Sequence, residues 1–255
     1  MKRGLLNNAI SGKYFDSLLK ILANIAAEQS GAIQEAGSMA ATAIAAGGVV
    51  HTFGSGHSHM ISEEAFFRAG GLAPVNPILD DALIFLHGAL ESTRAERQSG
   101  YAASLLARED VRPIDVAIVI SNSGRNAVPI EMALAIKALG TKVIAITNPR
   151  QAGTSPSRHS SGKYLFEVAD LVIDNCIPVG DAVLELPGLS QKMGPSSTVA
   201  GAAIINAVMI EAAAALQTMG AMVPVIGRAN VGVGALSDME AAFAKWAPRV
   251  RLLNA

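Results

Sequence analysis

Two Ser/Gly-rich turns are the first stretches of this sequence whose residues could bind a ligand. The first, Gly54-Ser55-Gly56-His57-Ser58, follows a β-branched and aromatic run and precedes a helical pattern. Glycines let the backbone approach a ligand, serine hydroxyls donate hydrogen bonds, and the free N–H groups of the next helix point to the same place. The turn therefore predicts an anion site, and phosphate suits it best. A dinucleotide-binding fingerprint would need a third glycine where His59 stands.

The second turn, Ser121-Asn122-Ser123-Gly124-Arg125-Asn126, repeats this arrangement after the apolar run Val116 to Ile120. A third hydroxyl-rich helix start is Ser196-Ser197-Thr198. Each turn taken alone could be an ordinary connection without a ligand, its serines serving as helix N-caps. If the first two turns end strands of one parallel sheet, they meet at its carboxyl edge. Several such turns in one chain favour a shared binding site.

The composition predicts a soluble α/β protein with one large core. The chain has 255 residues, 51% of them apolar and 16% charged. One domain over residues 1–255 is the simplest expectation, with its core at about 15–218 and a C-terminal extension at 219–255. The net charge of -1, without a long basic run, predicts no nucleic-acid partner and no membrane partner. A single cysteine and no signal-peptide pattern predict a cytoplasmic protein without disulfides.

Hydrophobic periodicity predicts the elements that position the turns. Strands are expected at about 49–53, 116–120, 142–147 and 171–174, with a weaker one within 72–79. Helices are expected at about 14–46 with a possible break at Ser30-Gly31, and at 58–68, 91–108, 129–139, 196–218 and 238–246. Residues 176–195 are expected to form an irregular connection. This alternation indicates a doubly wound parallel sheet with helices on both faces, a long N-terminal helix and a C-terminal helical tail.

The motifs together resemble the SIS, or sugar isomerase, domain family. The resemblance rests on both turns, on the alanine-rich helix that ends at Gly140 and on Val143 to Asn148, and it covers about residues 15–218. Where the family commonly has Thr or Ser at the end of its Ser-x-Ser-Gly turn, this chain has Asn126. The stretch Phe53 to Asn76 is most similar to phosphoheptose-isomerase-like, stand-alone SIS proteins.

The resemblance implies a five-stranded parallel sheet of flavodoxin-like order and a homodimer or homotetramer with its sites near subunit contacts. It also implies a sugar phosphate at the carboxyl edge of the sheet. Carried over position by position, the binding residues are Ser55, Gly56, Ser58, Ser121, Asn122, Ser123, Gly124, Asn126, Ser196, Ser197 and Thr198.

Aldose–ketose isomerisation, the activity that the resemblance implies, needs a base and an acid that move a proton through an enediol. Glu63 is the expected base and His57 the expected acid or orienting donor. Glu64 is a further candidate, although Arg68 can pair with it at i,i+4. Glu131 and His159 are held in reserve. For Glu63 and His57, a solvated helix residue and a loop-stabilising ring are the structural alternatives.

Two other functions stay open at this point. The protein could bind a phosphosugar without converting it, as a regulator or scaffold, or it could cleave an amino-sugar phosphate as a lyase or etherase. No cofactor and no metal are predicted, since the chemistry requires neither. His57, His59 and Glu63 could form a metal site, but they equally fit hydrogen-bonding roles.

Overall fold

A parallel sheet of five strands forms the centre of the computed structural model, which describes residues 9–227 and 243–253. The strand order is β2-β1-β3-β4-β5, and every pairing is parallel. This order confirms the expected flavodoxin-like arrangement. The strands are β1 (Val50–Gly54), β2 (Val75–Ile78), β3 (Val116–Ser121), β4 (Lys142–Thr147) and β5 (Leu171–Asp174).

The sheet is covered on both faces because its strands are apolar along their whole length. All six residues of β3 are buried. Ile118 and Ile120 belong to the core on one face, whereas Ala117 and Val119 belong to the core on the other. Parallel sheets with both faces covered require this kind of continuous apolar strand. The helices are α1 (Ile10–Glu28), α2 (Ser30–Ala45), α3 (His59–Glu64), α4 (Ala89–Ala95), α5 (Tyr101–Leu106), α6 (Ala127–Ala138), α7 (Leu165–Val168) and α8 (Ser197–Thr218).

The expected break in the first long helix is confirmed at Gln29, between α1 and α2. The Gln29 side chain accepts a hydrogen bond from the Asp174 N–H at 3.0 Å, so the break is tied to the end of β5.

Three sequence predictions need correction. The helix expected at 91–108 is two helices, because Gly100, at φ 81°, separates α4 from α5. The helix expected at 58–68 is a single 3₁₀ turn followed by the short α3. The connection at 176–195 contains an antiparallel hairpin, β6 (Ala182–Leu184) with β7 (Met193–Pro195). The helix expected at 238–246 starts outside the described residues.

Among the described helices, α8 is long and apolar enough to cross a membrane by length and composition alone, with a mean hydropathy of 1.9. It packs against α2, and Ile204, Val208 and Leu216 are fully buried. This placement agrees with the core helix predicted from the sequence.

The contact between α2 and α8 depends on the absence of a side chain at Gly37. A Cβ there would lie 2.9 Å from the Ala212 amide nitrogen and closer still to Glu211 Cβ. The two helix backbones cannot move aside as a flexible side chain can. The overpacking caused by an alanine at position 37 therefore costs more than the alanine gains in helix propensity.

We therefore expect Gly37→Ala to lower the free energy of unfolding by about 1–3 kcal/mol in urea titration. The matched control is Gly31→Ala on the same helix, where a Cβ meets no atom within 4 Å. Equal effects of the two substitutions would contradict the tight α2–α8 contact.

Asp115, at the amino-terminal edge of the sheet, is the centre of a buried polar cluster. Its carboxylate accepts hydrogen bonds from Val49 N at 2.9 Å, from Arg112 N at 2.7 Å and from both Arg249 Nη atoms at 3.0 and 2.7 Å. His51 Nε2 lies 3.1 Å from the same carboxylate. Burial alone would raise the pKa of Asp115, but these donors hold it well below its usual value.

We call Asp115, His51 and Arg249 the Asp115 clamp, because Arg249 belongs to the C-terminal segment 243–253. Its neighbour Trp246 is 2% exposed and packs into the same core as Ile118. The clamp therefore fastens the C-terminal segment to the edge of the sheet opposite the two Ser/Gly-rich turns.

Candidate functional site

A cavity of about 430 Å³ opens at the carboxyl ends of β1 and β3, where both Ser/Gly-rich turns meet. This convergence is what the sequence predicted for two turns after neighbouring parallel strands. α4 and the segment after β2 supply another wall. The lining residues are Ser55, Gly56, His57, Ser58, Phe85, Ala89, Ser92, Thr93, Glu96, Ser121, Asn122, Ser123, Asn126, Asp181 and Ser197.

The second turn is a tight Ser/Gly turn that leads into α6. Gly124 has φ 58°, and a Cβ there would lie 2.7 Å from Thr147 Oγ1, so this backbone requires glycine. The Gly124 N–H donates to Ser121 Oγ at 3.2 Å, which closes the turn. Ser123 lines the cavity, and its hydroxyl has no hydrogen-bond partner among the described residues. Gly124 itself lies beneath the cavity and shapes the turn.

The first turn brings His57 to the cavity and holds it against an aromatic ring. The His57 and Phe85 rings lie 4.8 Å apart between centroids, at an angle of 58°. His59 Nδ1 is hydrogen-bonded to the Gly56 carbonyl oxygen. His57 is thus the imidazole available to a ligand from this turn.

Glu96, which the sequence did not single out, is the carboxylate at the junction of both turns. It accepts a hydrogen bond from Ser55 Oγ at 3.0 Å and another from Asn126 Nδ2 at 2.7 Å. Burial raises the pKa of Glu96, against the opposing effects of the Ser55 hydrogen bond and of the Arg97 and Arg158 charges. A carboxyl group with a raised pKa in a cavity is typical of proton-transfer sites.

The structure does not bring the expected base to this cavity. Glu63 is exposed, because α3 turns Ile61 and Ser62 into the core and leaves Glu63 on its outer side. Glu64 pairs with Arg68, as the sequence suggested, and accepts a hydrogen bond from Asn206 Nδ2 at 2.8 Å. Neither glutamate lines the cavity.

The reserve candidates also lie elsewhere. Glu131 accepts a hydrogen bond from the Gly100 N–H, and His159 contacts the Ser161 hydroxyl.

The third helix start is already engaged with a carboxylate. Asp181 accepts hydrogen bonds from the Ser196 and Ser197 N–H groups at 2.8 and 2.7 Å, and from Ser197 Oγ at 2.8 Å. Ser197 still lines the cavity beside Asp181, whereas Ser196 is fully buried. Thr198 lines a small adjoining cavity of about 10 Å³.

The possible metal ligands are not gathered into one group. Within residues 9–227 and 243–253, no set of three or more His, Cys, Asp and Glu side chains is arranged to hold a metal ion. His57, His59 and Glu63 therefore form no such group.

Comparisons with known proteins agree with the fold and with the turns. The SIS domain matches residues 13–148. A UPF0309 protein of Geobacillus kaustophilus is 43% identical over 219 residues, which are 86% of this chain and 87% of that protein. A UPF0309 protein of Listeria monocytogenes is 40% identical over 241 residues, covering 94% of this chain and 97% of that protein.

Among solved structures, a phosphoheptose isomerase of Neisseria gonorrhoeae is similar in fold, with a TM-score of 0.50 at 13% identity. The likeness covers 78% of this chain and 95% of that one. The resemblance inferred from the two turns is thereby confirmed: this chain belongs to the SIS domain family, among the UPF0309 proteins.

Proposed function

We propose that the cavity binds a phosphorylated sugar and interconverts its aldose and ketose forms. The observation that carries this proposal is the position of Glu96, a partly buried carboxylate in the same cavity as the second turn, which we take as the anion cradle. The volume of about 430 Å³ falls within the range usual for small-molecule sites.

The phosphate belongs at the second turn. The Ser123 hydroxyl supplies a donor there, and the partial positive charge of the start of α6 favours an anion. In the first turn of α6, the Val128 N–H donates to the Glu96 carbonyl oxygen at 3.2 Å and Pro129 has no N–H. From that anchor the sugar extends across the cavity towards Glu96 and His57.

Glu96 then takes the role that the sequence assigned to Glu63. Its carboxylate removes a proton from the carbon beside the carbonyl group, and the carbonyl oxygen gains a proton, which gives an enediol. Return of the proton to the former carbonyl carbon, with loss of the proton from the other enediol hydroxyl to form the new carbonyl group, completes the isomerisation without any external oxidant. A raised pKa makes Glu96 a better base than an exposed glutamate. His57, which lines the same cavity, acts as the acid or orients the oxygen.

A second candidate is a protein that binds the sugar phosphate without converting it. Both carboxylate oxygens of Glu96 accept hydrogen bonds from the protein, and this favours a fixed wall over a mobile base. Thermal stabilisation by a sugar phosphate that stays chemically unchanged would identify this function.

A thermal-shift screen of pentose, hexose and heptose phosphates, each beside its unphosphorylated sugar, tests the binding step. We expect stabilisation by the phosphorylated member of a pair only, since the cradle recognises the phosphate. Conversion of the stabilising compound is then followed by NMR. Stabilisation by free sugars alone would contradict a phosphate site.

We expect Ser123→Ala to weaken sugar phosphate binding about tenfold, because it removes a neutral donor to a charged group. The melting temperature of the ligand-free protein should not change, since that hydroxyl has no partner among the described residues. Ser104→Ala, an exposed position of α5 outside the cavity lining, is the control. Unchanged affinity in Ser123→Ala would place the phosphate elsewhere.

A further inference from the structure

The start of α8 offers what an anion needs, and a carboxylate of the protein itself occupies it. Two backbone N–H groups and the Ser197 hydroxyl donate to the Asp181 side chain at 2.7 to 2.8 Å. The Ser196 hydroxyl donates to the Asp181 carbonyl oxygen at 2.8 Å. At the start of α6, which also faces the cavity, the Glu96 carboxylate accepts from the Asn126 side chain and not from the backbone.

The backbone conformation of Asp181 and the β6–β7 hairpin that follows it hold this residue in position. It has φ 70°, an uncommon conformation for a residue other than glycine. The hairpin starts at the next residue, and its Ala182–Pro195 pairing places Asp181 opposite Ser196. The Tyr14 hydroxyl donates to the Pro195 carbonyl oxygen at 2.6 Å and so ties the hairpin to α1.

The charges around the cavity are unequal from one end to the other. The second turn and the start of α6 favour an anion, and the Glu96 carboxylate lies beside that turn, bonded to Asn126. Asp181 places a second carboxylate on a different wall, that of the hairpin and α8. In the part of the chain that the structure describes, neither lysine nor arginine lines the cavity. The Arg158 guanidinium, which donates to Asn126 Oδ1 at 2.6 Å, compensates negative charge beside the second turn. A second phosphate at the Asp181 wall would meet like charge.

We propose that Asp181 is a specificity-determining residue that restricts the cavity to sugar monophosphates whose other end is uncharged or cationic. This inference rests on the proposed binding of a sugar phosphate at the second turn. It means that a bisphosphate, or a sugar phosphate with a carboxylate at its far end, is rejected by repulsion from Asp181. Selectivity then comes from an unfavourable contact with the wrong ligand as well as from contacts with the right one.

The experiment compares fructose 6-phosphate with fructose 1,6-bisphosphate by isothermal titration calorimetry. We expect the wild-type protein to bind the monophosphate at least about tenfold more tightly than the bisphosphate. In Asp181→Asn, which keeps the shape and removes the charge, that ratio should fall about tenfold. Glu185→Gln removes one negative charge from the same hairpin outside the cavity, where Glu185 is exposed and pairs with Lys192, and should leave the ratio unchanged.

Asp181→Gly is the second variant, since glycine accepts the positive φ without strain if the asparagine variant fails to fold. Equal affinity of the wild-type protein for both probes overturns the inference. So does a preference that persists in a folded Asp181 variant. These results leave the proposed function standing. If neither probe binds the wild-type protein and the wider screen finds no phosphosugar ligand, the proposed function fails and the inference with it.

Discussion

Replacing Glu96 with glutamine is expected to lower the turnover of the sugar phosphate substrate by about 10²–10⁴-fold. Glutamine keeps the size of the side chain and can still accept from Ser55, but it cannot take a proton from carbon. Binding should change little, because the phosphate is held at the second turn. The measurement is kcat by a coupled or NMR assay, with Kd from calorimetry.

The control for this variant is Glu63→Gln, which removes an exposed glutamate on α3 outside the cavity. We expect it to retain the wild-type turnover. Since Glu96 must be ionised to act as a base, turnover should also fall as the pH drops through its pKa, which burial raises. Loss of activity in Glu63→Gln together with full activity in Glu96→Gln would reverse the assignment.

Asp115→Ala is expected to lower the free energy of unfolding by about 3–5 kcal/mol. The substitution leaves Arg249, whose side chain is 10% exposed, and the Val49 N–H without their buried acceptor. This loss is a large share of the roughly 5–15 kcal/mol that stabilises a typical domain. Denaturant titration measures it.

Asp110→Ala is the matched control, because Asp110 also pairs with Arg249 but is 41% exposed. It should cost no more than about 1 kcal/mol. A similar loss in both variants would show that the buried carboxylate of Asp115 contributes no more to the free energy of unfolding than the exposed carboxylate of Asp110.

The same carboxylate gives stability a defined dependence on pH. The pKa of Asp115 in the folded protein lies below its value in the unfolded chain, about 3.9. Above that value both states are ionised and the stabilisation is fully present. As the pH falls below about 4, the unfolded chain takes up the proton first, so stability is lost. Asp115→Ala should lose part of this acid dependence.

The sheet could be predicted because its signals are local. The strands β3, β4 and β5 are short apolar runs bounded by turn residues. Such runs are typical of strands in a parallel sheet that is covered on both faces. The hairpin β6–β7 escaped prediction, because its three-residue strands are only partly buried and lie among prolines and glycines. The break at Gly100 was hidden by a helical pattern that continues on both sides of it.

The candidate site was predictable for the turns and not for the carboxylates. A strand, a turn and a helix start are contiguous in sequence, so Ser55 and Ser123 could be placed from the residues alone. Glu96 reaches the cavity only because α4 folds over it from another part of the chain. Asp181 reaches it because the hairpin returns the chain to α8. Glu63 was favoured by its closeness in sequence to the first turn, and the rotation of α3 turned it outward.

The Asp115 clamp also makes the C-terminal segment observable by spectroscopy. Trp246 is the one tryptophan of the chain and lies three residues before Arg249, buried in the core. Its fluorescence therefore arises at the edge of the sheet away from the cavity, and a red shift of its emission would report release of that segment. Ligands that enter the cavity can be followed by other probes, so the two ends of the sheet can be monitored independently in one unlabelled sample.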